Sequence, residues 1–104
     1  MRASVAAVTF EQAVTKAGWR CQRCGAHASS TVLELHHVLG RQPCVLVNEP
    51  DNLLILCRGC HGWMHAHKGL ALDWFAQQFG DERLLKLHLI RRGTKHVGAT
   101  MEDE

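Results

Sequence analysis

Apolar residues recur along this chain in short runs whose period changes, and each change predicts a different element. Phe10, Ala13, Val14 and Ala17 fall on one face of a helix over residues 9–17, so that helix packs on the domain. Thr9 is placed to cap it, Gln12 stands where a capping-box partner would, and Gly18 is placed to end it. Residues 32–38 are rich in β-branched and apolar side chains and read as a strand. Residues 53–56 are a continuous apolar run, which fits a short buried strand antiparallel to the first. The segment between them, 39–51, carries Gly40, Pro43 and Pro50 and reads as a loop. Residues 58–68 then read as a helix closed by Gly69. Residues 70–79 and 81–92 look helical as well. In the second of these, Leu85, Leu87 and Leu89 alternate with Lys86 and His88, which also fits a strand. Leu70, Trp74, Phe75 and Phe79 recur at helical spacing and suit a core better than a base-stacking platform, while Trp63 suits either.

The fold class this implies is α+β: strand, loop, strand, helix, preceded by one helix and followed by a mostly helical extension. At 104 residues the chain is one domain. Its core spans about 19–68, its C-terminal extension about 70–95, and a frayed acidic tail about 98–104. A domain of this size buries a modest core, and a structural metal would add to its stability. No apolar run reaches transmembrane length, so no membrane partner is expected. The first ten residues carry one Arg and no stretch long enough for a secretory signal, which makes the cytoplasm the expected location.

Charge changes the picture less by its sum than by its placement. The net charge is +2 with histidine neutral. Arg20, Arg23, Arg41, Arg58 and Lys68 flank the Cys/His segment, and Arg91, Arg92 and Lys95 form a second basic group. Met101, Glu102, Asp103 and Glu104 offset them at the acidic end. Such a distribution permits a polyanionic partner, whose phosphates the basic groups would grip without reading sequence.

The candidate chemistry lies in the middle third. Cys21-x2-Cys24 is answered thirty-three residues later by Cys57-x2-Cys60. CxxC is the spacing at which one turn presents two thiolates to one ion, and two such units complete a tetrahedral zinc shell. That shell leaves no open position, so its role is structural. Gly25 follows the first pair and suits the tight turn that wraps a metal. Cys44 is left over and reads as a loop or core thiol.

The four thiolates leave the histidines unspent. His61 and His65 are four apart on the expected helix, share one face, and can bind one ion together. A finger of two cysteines and two histidines fails, because it needs on the order of a dozen residues between its Cys and His pairs, and here His61 follows Cys60 directly. His67 points elsewhere and reads as exposed or packing. Gly62 costs about 1 kcal/mol in a helix relative to Ala, which suggests a close backbone approach by a strand or a substrate. His36 and His37 are adjacent, so a regular strand would point them to opposite faces unless it ends or twists there. One can bind metal while the other faces a water; the bland reading of either is a hydrogen-bonded core histidine.

These residues carry a resemblance. Glu34-x-His36-His37, then Asn52, then His61-x3-His65 resemble the HNH endonucleases, which share the ββα-metal, treble-clef-like fold. Asn52-Leu-Leu-Ile-Leu-Cys-Arg-Gly-Cys-His61 resembles the zinc-containing branch of that family, and the spacings from His37 to Asn52 to His61 resemble those of colicin-type nuclease domains. The resemblance covers about residues 19–68 and not the C-terminal third. It implies that His37 is the general base that takes a proton from water. His36, His61 and His65 would hold one divalent ion, Asn52 would brace the loop that orients His37, and Glu34 would hydrogen-bond a ligand histidine. Colicin-type nucleases carry an Arg four residues before the Glu. Ser30 stands there in this chain, and Arg41, Arg58 or Lys68 is the candidate nucleic-acid contact.

The implied reaction is hydrolysis of DNA phosphodiester bonds, by nicking or double-strand cleavage, to 5′-phosphate and 3′-hydroxyl. A histidine titrating near neutrality can deprotonate water. A divalent ion stabilises charge on the phosphorane and the leaving oxygen. Imidazole ligands favour transition metals, though water and phosphate in open positions could admit Mg²⁺ or Mn²⁺ beside Ni²⁺ or Zn²⁺. Nothing in the chain reads as a recognition helix, so low intrinsic sequence specificity follows, with a larger DNA-processing or packaging protein as a possible partner. A lone small nuclease domain fits a phage or mobile element in a bacterial or phage-infected cell. The rival reading is a non-catalytic zinc module that binds nucleic acid or protein. An RNase is a third.

Overall fold

The two apolar runs pair with each other. In the computed structural model, which describes residues 2–42 and 44–93, β1 (Leu33–His37) lies antiparallel to β2 (Leu53–Cys57). His36 sits opposite Leu54 and Glu34 opposite Leu56. Every residue of β2 is buried. That explains its unbroken apolar run: a strand covered on both faces has no polar side to alternate with. Its neighbours are α1 (Arg2–Lys16) and α2 (Arg58–Ala66). The rest of the chain forms α3 (Lys68–Phe79) and α4 (Asp81–Gly93), which pack on each other. The molecule is thus α+β, with a two-stranded sheet and, among the described residues, four α-helices. The leucine alternation in α4 does not make a strand: only Leu87 is buried there, while Leu85 and Leu89 face outward.

Three expectations are corrected. The first helix begins at Arg2, so Thr9 lies inside it and donates through Oγ1 to Asn48 Oδ1 at 2.8 Å in place of capping. Gly18 does end it, at φ +71°, a conformation that spares glycine the clash other residues meet. The helix over 58–68 stops at Ala66, because His67 adopts φ −133° and ψ 63° and a new helix starts at Lys68; Gly69 therefore sits within α3 and closes nothing. Gly62 meets no close approach by the strand, since among the described residues, outside its own stretch of helix, nothing lies within 4 Å of where its Cβ would be.

A fourth correction concerns the core. Leu70 is 59% exposed, and Ala71 takes the buried position beside Phe75. The core joins Leu46, Leu54, Leu56, Met64, Phe75 and Leu87 with the sulfur-bearing Cys21, Cys57 and Cys60. Burying a side chain such as Phe75 or Leu54 contributes about 2–3 kcal/mol each. The extension is thereby part of the same core as the sheet. The loop between the strands holds two 3-10 turns, Cys44–Val47 and Pro50–Asn52, and α4 packs on both. Pro43, Lys95 and the acidic tail lie outside the described residues. No described helix is long and apolar enough to cross a membrane.

Candidate metal centres

The first cluster is made by two short turns. A bridge between Arg20 and His27 closes a knuckle around Cys21 and Cys24, with Cys21 N–H donating to Ala26 O at 2.8 Å. Gly25 makes the turn possible at φ +83°. The Gln22 side chain staples the knuckle to β2 by accepting from Ile55 N–H at 2.8 Å. The second CxxC straddles the start of α2, where the Cys57 sulfur caps the helix by accepting from Cys60 N–H at 3.4 Å. All four sulfurs lie within 4.8 Å of one another and could hold a metal ion. Cys24 Sγ and Cys57 Sγ are 3.7 Å apart. A tetrahedron with bonds of ~2.3 Å has edges of ~3.8 Å, the spacing zinc thiolates need.

Charge at this cluster is divided unevenly. Burial opposes a thiolate at Cys21, yet N–H groups turned to its sulfur, including those of Cys24 and Arg23, outweigh it and lower its pKa. Burial and the neighbouring sulfurs push the Cys60 thiol up. The conflict is the one expected of four sulfurs that need a cation among them. Arg23 eases it in part: its guanidinium donates to Cys60 Sγ at 3.4 Å and lies 3.9 Å over the Trp63 ring. Trp63 is thus packed, with the His67 ring stacked on it. Sequence reading saw Arg23 only as one flanking charge. Cys44 is an exposed loop thiol away from the cluster.

The second cluster is built on one face of β1 and one face of α2. Alternate strand residues share a face, so Glu34 and His36 both turn to α2. The ring nitrogens of His36, His61 and His65 lie within 4.8 Å of one another and could hold an ion. His61 Nε2 and His65 Nε2 are 3.1 Å apart. Glu34 Oε1 sits 2.8 Å from His61 Nδ1. A carboxylate only accepts, so Nδ1 carries the hydrogen and Nε2 presents its lone pair to His65. Two lone pairs this close repel unless a proton or cation lies between them. Burial, with the charges of His61 and His65, lowers the His36 pKa to about 4, which keeps its ring neutral and able to bind metal. Glu34 also takes Arg58 Nε at 3.2 Å, and both partners lower its pKa, His61 foremost.

His37 faces away from these rings and toward the loop. Its Nε2 is 3.0 Å from Val47 O. A carbonyl only accepts, so Nε2 carries the hydrogen and Nδ1 keeps a lone pair. Burial lowers the His37 pKa. Asn52 is fully buried behind it. Its Oδ1 accepts from Leu39 N–H at 2.8 Å, and its Nδ2 donates to Gly40 O and Leu46 O, each at 3.0 Å. One amide therefore ties both ends of the loop that carries Val47. From outside, Arg83 Nε donates to Asp51 O at 3.0 Å and Lys86 Nζ donates to Asp51 Oδ2 at 2.7 Å. No sequence motif announced those two braces. Of the basic candidates, Lys68 and Arg91 line a cavity beside His36, His37 and His65, Arg41 lies near enough to His37 to lower its pKa, and Arg58 is held on Glu34.

Comparison of the chain with protein-family models, with curated proteins and with solved structures gives no match in any of the three.

Proposed function

We propose that this chain is a metal-dependent endonuclease of the HNH type that hydrolyses DNA phosphodiester bonds. In this reading Cys21, Cys24, Cys57 and Cys60 hold a structural zinc ion at the base of a ββα-metal, treble-clef-like unit. His36, His61 and His65 hold one catalytic divalent ion. What carries the reading is a single juxtaposition: three imidazoles gathered on one point, with a fourth histidine beside the same cavity whose Nδ1 can accept a proton.

The roles follow from the hydrogen bonds. When bound, the divalent ion supplies Lewis-acid stabilisation of the charge that develops on phosphate. His37 is the base: its Nε2–H is spent on Val47 O, so Nδ1 is the atom that takes the proton from water. Asn52 is a positioning residue, because it holds the loop that holds His37. Glu34 fixes the His61 tautomer so that Nε2 stays a ligand. Lys68, which lines the cavity, and Arg41, beside His37, would meet backbone phosphates in this reading, and such contacts weaken with salt.

A plasmid-nicking assay tests this. The protein should nick in Mg²⁺, Mn²⁺, Ni²⁺ or Zn²⁺, stop in EDTA and recover with added metal, while His37→Ala stays folded and idle. Cutting that persists without metal, or at the wild-type rate in His37→Ala, excludes the mechanism. A protein that binds DNA and cuts it in no metal is the non-catalytic zinc module instead.

A further inference from the structure

The imidazole cluster opens onto a cavity that phosphate chemistry leaves unused. It measures about 310 Å³ and lies among β1, α2, α3 and α4. Its apolar wall is formed chiefly by Leu39, Leu54, Met64, Leu72 and Phe75. Its polar side carries His36, His37 and His65, with Lys68 from α3 and Arg91 from α4. Arg91 is half-buried and hydrogen-bonds His88 Nδ1 at 3.4 Å, so its guanidinium is held in place.

A sugar-phosphate backbone is polar and charged, and it has no use for an apolar wall. The cations and the imidazoles suit the phosphate. The wall suits what a nucleotide carries one sugar away from its phosphate, a flat base with apolar faces. The volume is at the small end of ligand pockets, ~300–1,000 Å³, enough for one base. In a duplex that base is stacked and paired, and extruding it costs a few kcal/mol. A single strand does not meet that cost. We infer that this cavity receives one unpaired base next to the reacting phosphate, so that the substrate of the site is single-stranded or locally unpaired DNA. The inference rests on the nuclease reading above and names its substrate class.

The test compares a short single-stranded oligonucleotide with its own duplex, with divalent metal present. The wild-type protein should cut the single strand about ten-fold faster or more, the size of one stacking contact. Leu72→Trp, which crowds the cavity, should lower the single-strand rate more than the duplex rate and so narrow the ratio between them. A single strand whose bases near the cut are replaced by abasic residues tests the unaltered protein, and should be cut about ten-fold more slowly than the normal strand. Duplex cut as fast as single strand, or abasic strand cut as fast as normal strand, overturns the inference. If neither form is cut in any metal, it is the nuclease reading that fails. Fluorescence anisotropy then decides the cavity on its own: tighter binding of the labelled single strand that Leu72→Trp weakens supports it, and equal affinity for both forms overturns it.

Discussion

Cys60 and His61 are consecutive residues of α2, yet they serve clusters of opposite character. The sulfur cluster draws its ligands from two turns, lies largely within the core, and is complete at four. The imidazole cluster offers three ring nitrogens, borders an open cavity, and has its His61 proton set by a hydrogen bond that Glu34 accepts. In the proposed reading one helix carries a structural and a reactive site because adjacent residues of its first turn point different ways, Cys60 into the core and His61 toward Glu34 of the strand. The sulfur side should therefore govern folding, and the imidazole side reaction.

The largest break in that contrast comes from the sulfurs. Metal binding at structural zinc sites is worth ~10–16 kcal/mol in small peptides, and a whole domain has ~5–15 kcal/mol of stability. Cys57→Ala should therefore lose cooperative unfolding by circular dichroism. A folded Cys57→Ala protein that still holds zinc would show that the sulfurs are not the staple. On the imidazole side, His37→Ala should slow cleavage by about 10²–10⁴-fold while melting temperature and metal content stay near wild type. The wild-type pH profile sharpens the same point. A base works when neutral, and burial lowers the His37 pKa, so activity should persist below the ordinary value of ~6.5 and fall only as pH drops through the lower one. An acid limb above that value would remove His37 from the role.

Asn52 sits between the two behaviours. Replacing it by Ala strands three backbone groups, at a cost of about 3 kcal/mol, so the melting temperature should fall on the order of 10–20 °C. Cleavage should fall with it, and zinc at the sulfurs should be retained, as mass spectrometry would read. The smallest effect belongs to the outer brace. Asp51→Asn should cost no more than about 1 kcal/mol, because its pairing with Lys86 is exposed to solvent. Lys86 holds the Asp51 carboxyl below its ordinary value, so the difference from wild type should be present above pH ~4 and fade as pH falls below it. A difference that grows in acid would contradict the pairing.

Much of this was legible in the residues. The strand pair, the positive φ at Gly18 and Gly25, and the shared face of His61 and His65 each follow from a local rule: period, backbone freedom, helical spacing. The convergence of His36 with the helix histidines was less so, because it depends on the register that sets His36 opposite Leu54. What stayed hidden is non-local. The break falls at His67, two residues before the Gly69 read as closing the helix, and no Pro or Gly sits at His67 itself to mark it. Leu70 looked apolar enough for the core, but the break at His67 sets the phase of α3 so that Ala71 and Phe75 face inward. Arg83 drew no reading, Lys86 entered only as one of the residues alternating with leucine, and Arg91 read as one of a basic group, until α4 is seen lying against the loop and the cavity.

The Cys57 sulfur is both a member of the thiolate cluster and the cap of the helix that carries His61 and His65. An oxidant that attacked this thiol would release the opening turn of that helix, and His61 lies one residue beyond it. One sulfur thus sets both the cysteine cluster and the start of the helix that positions the histidines.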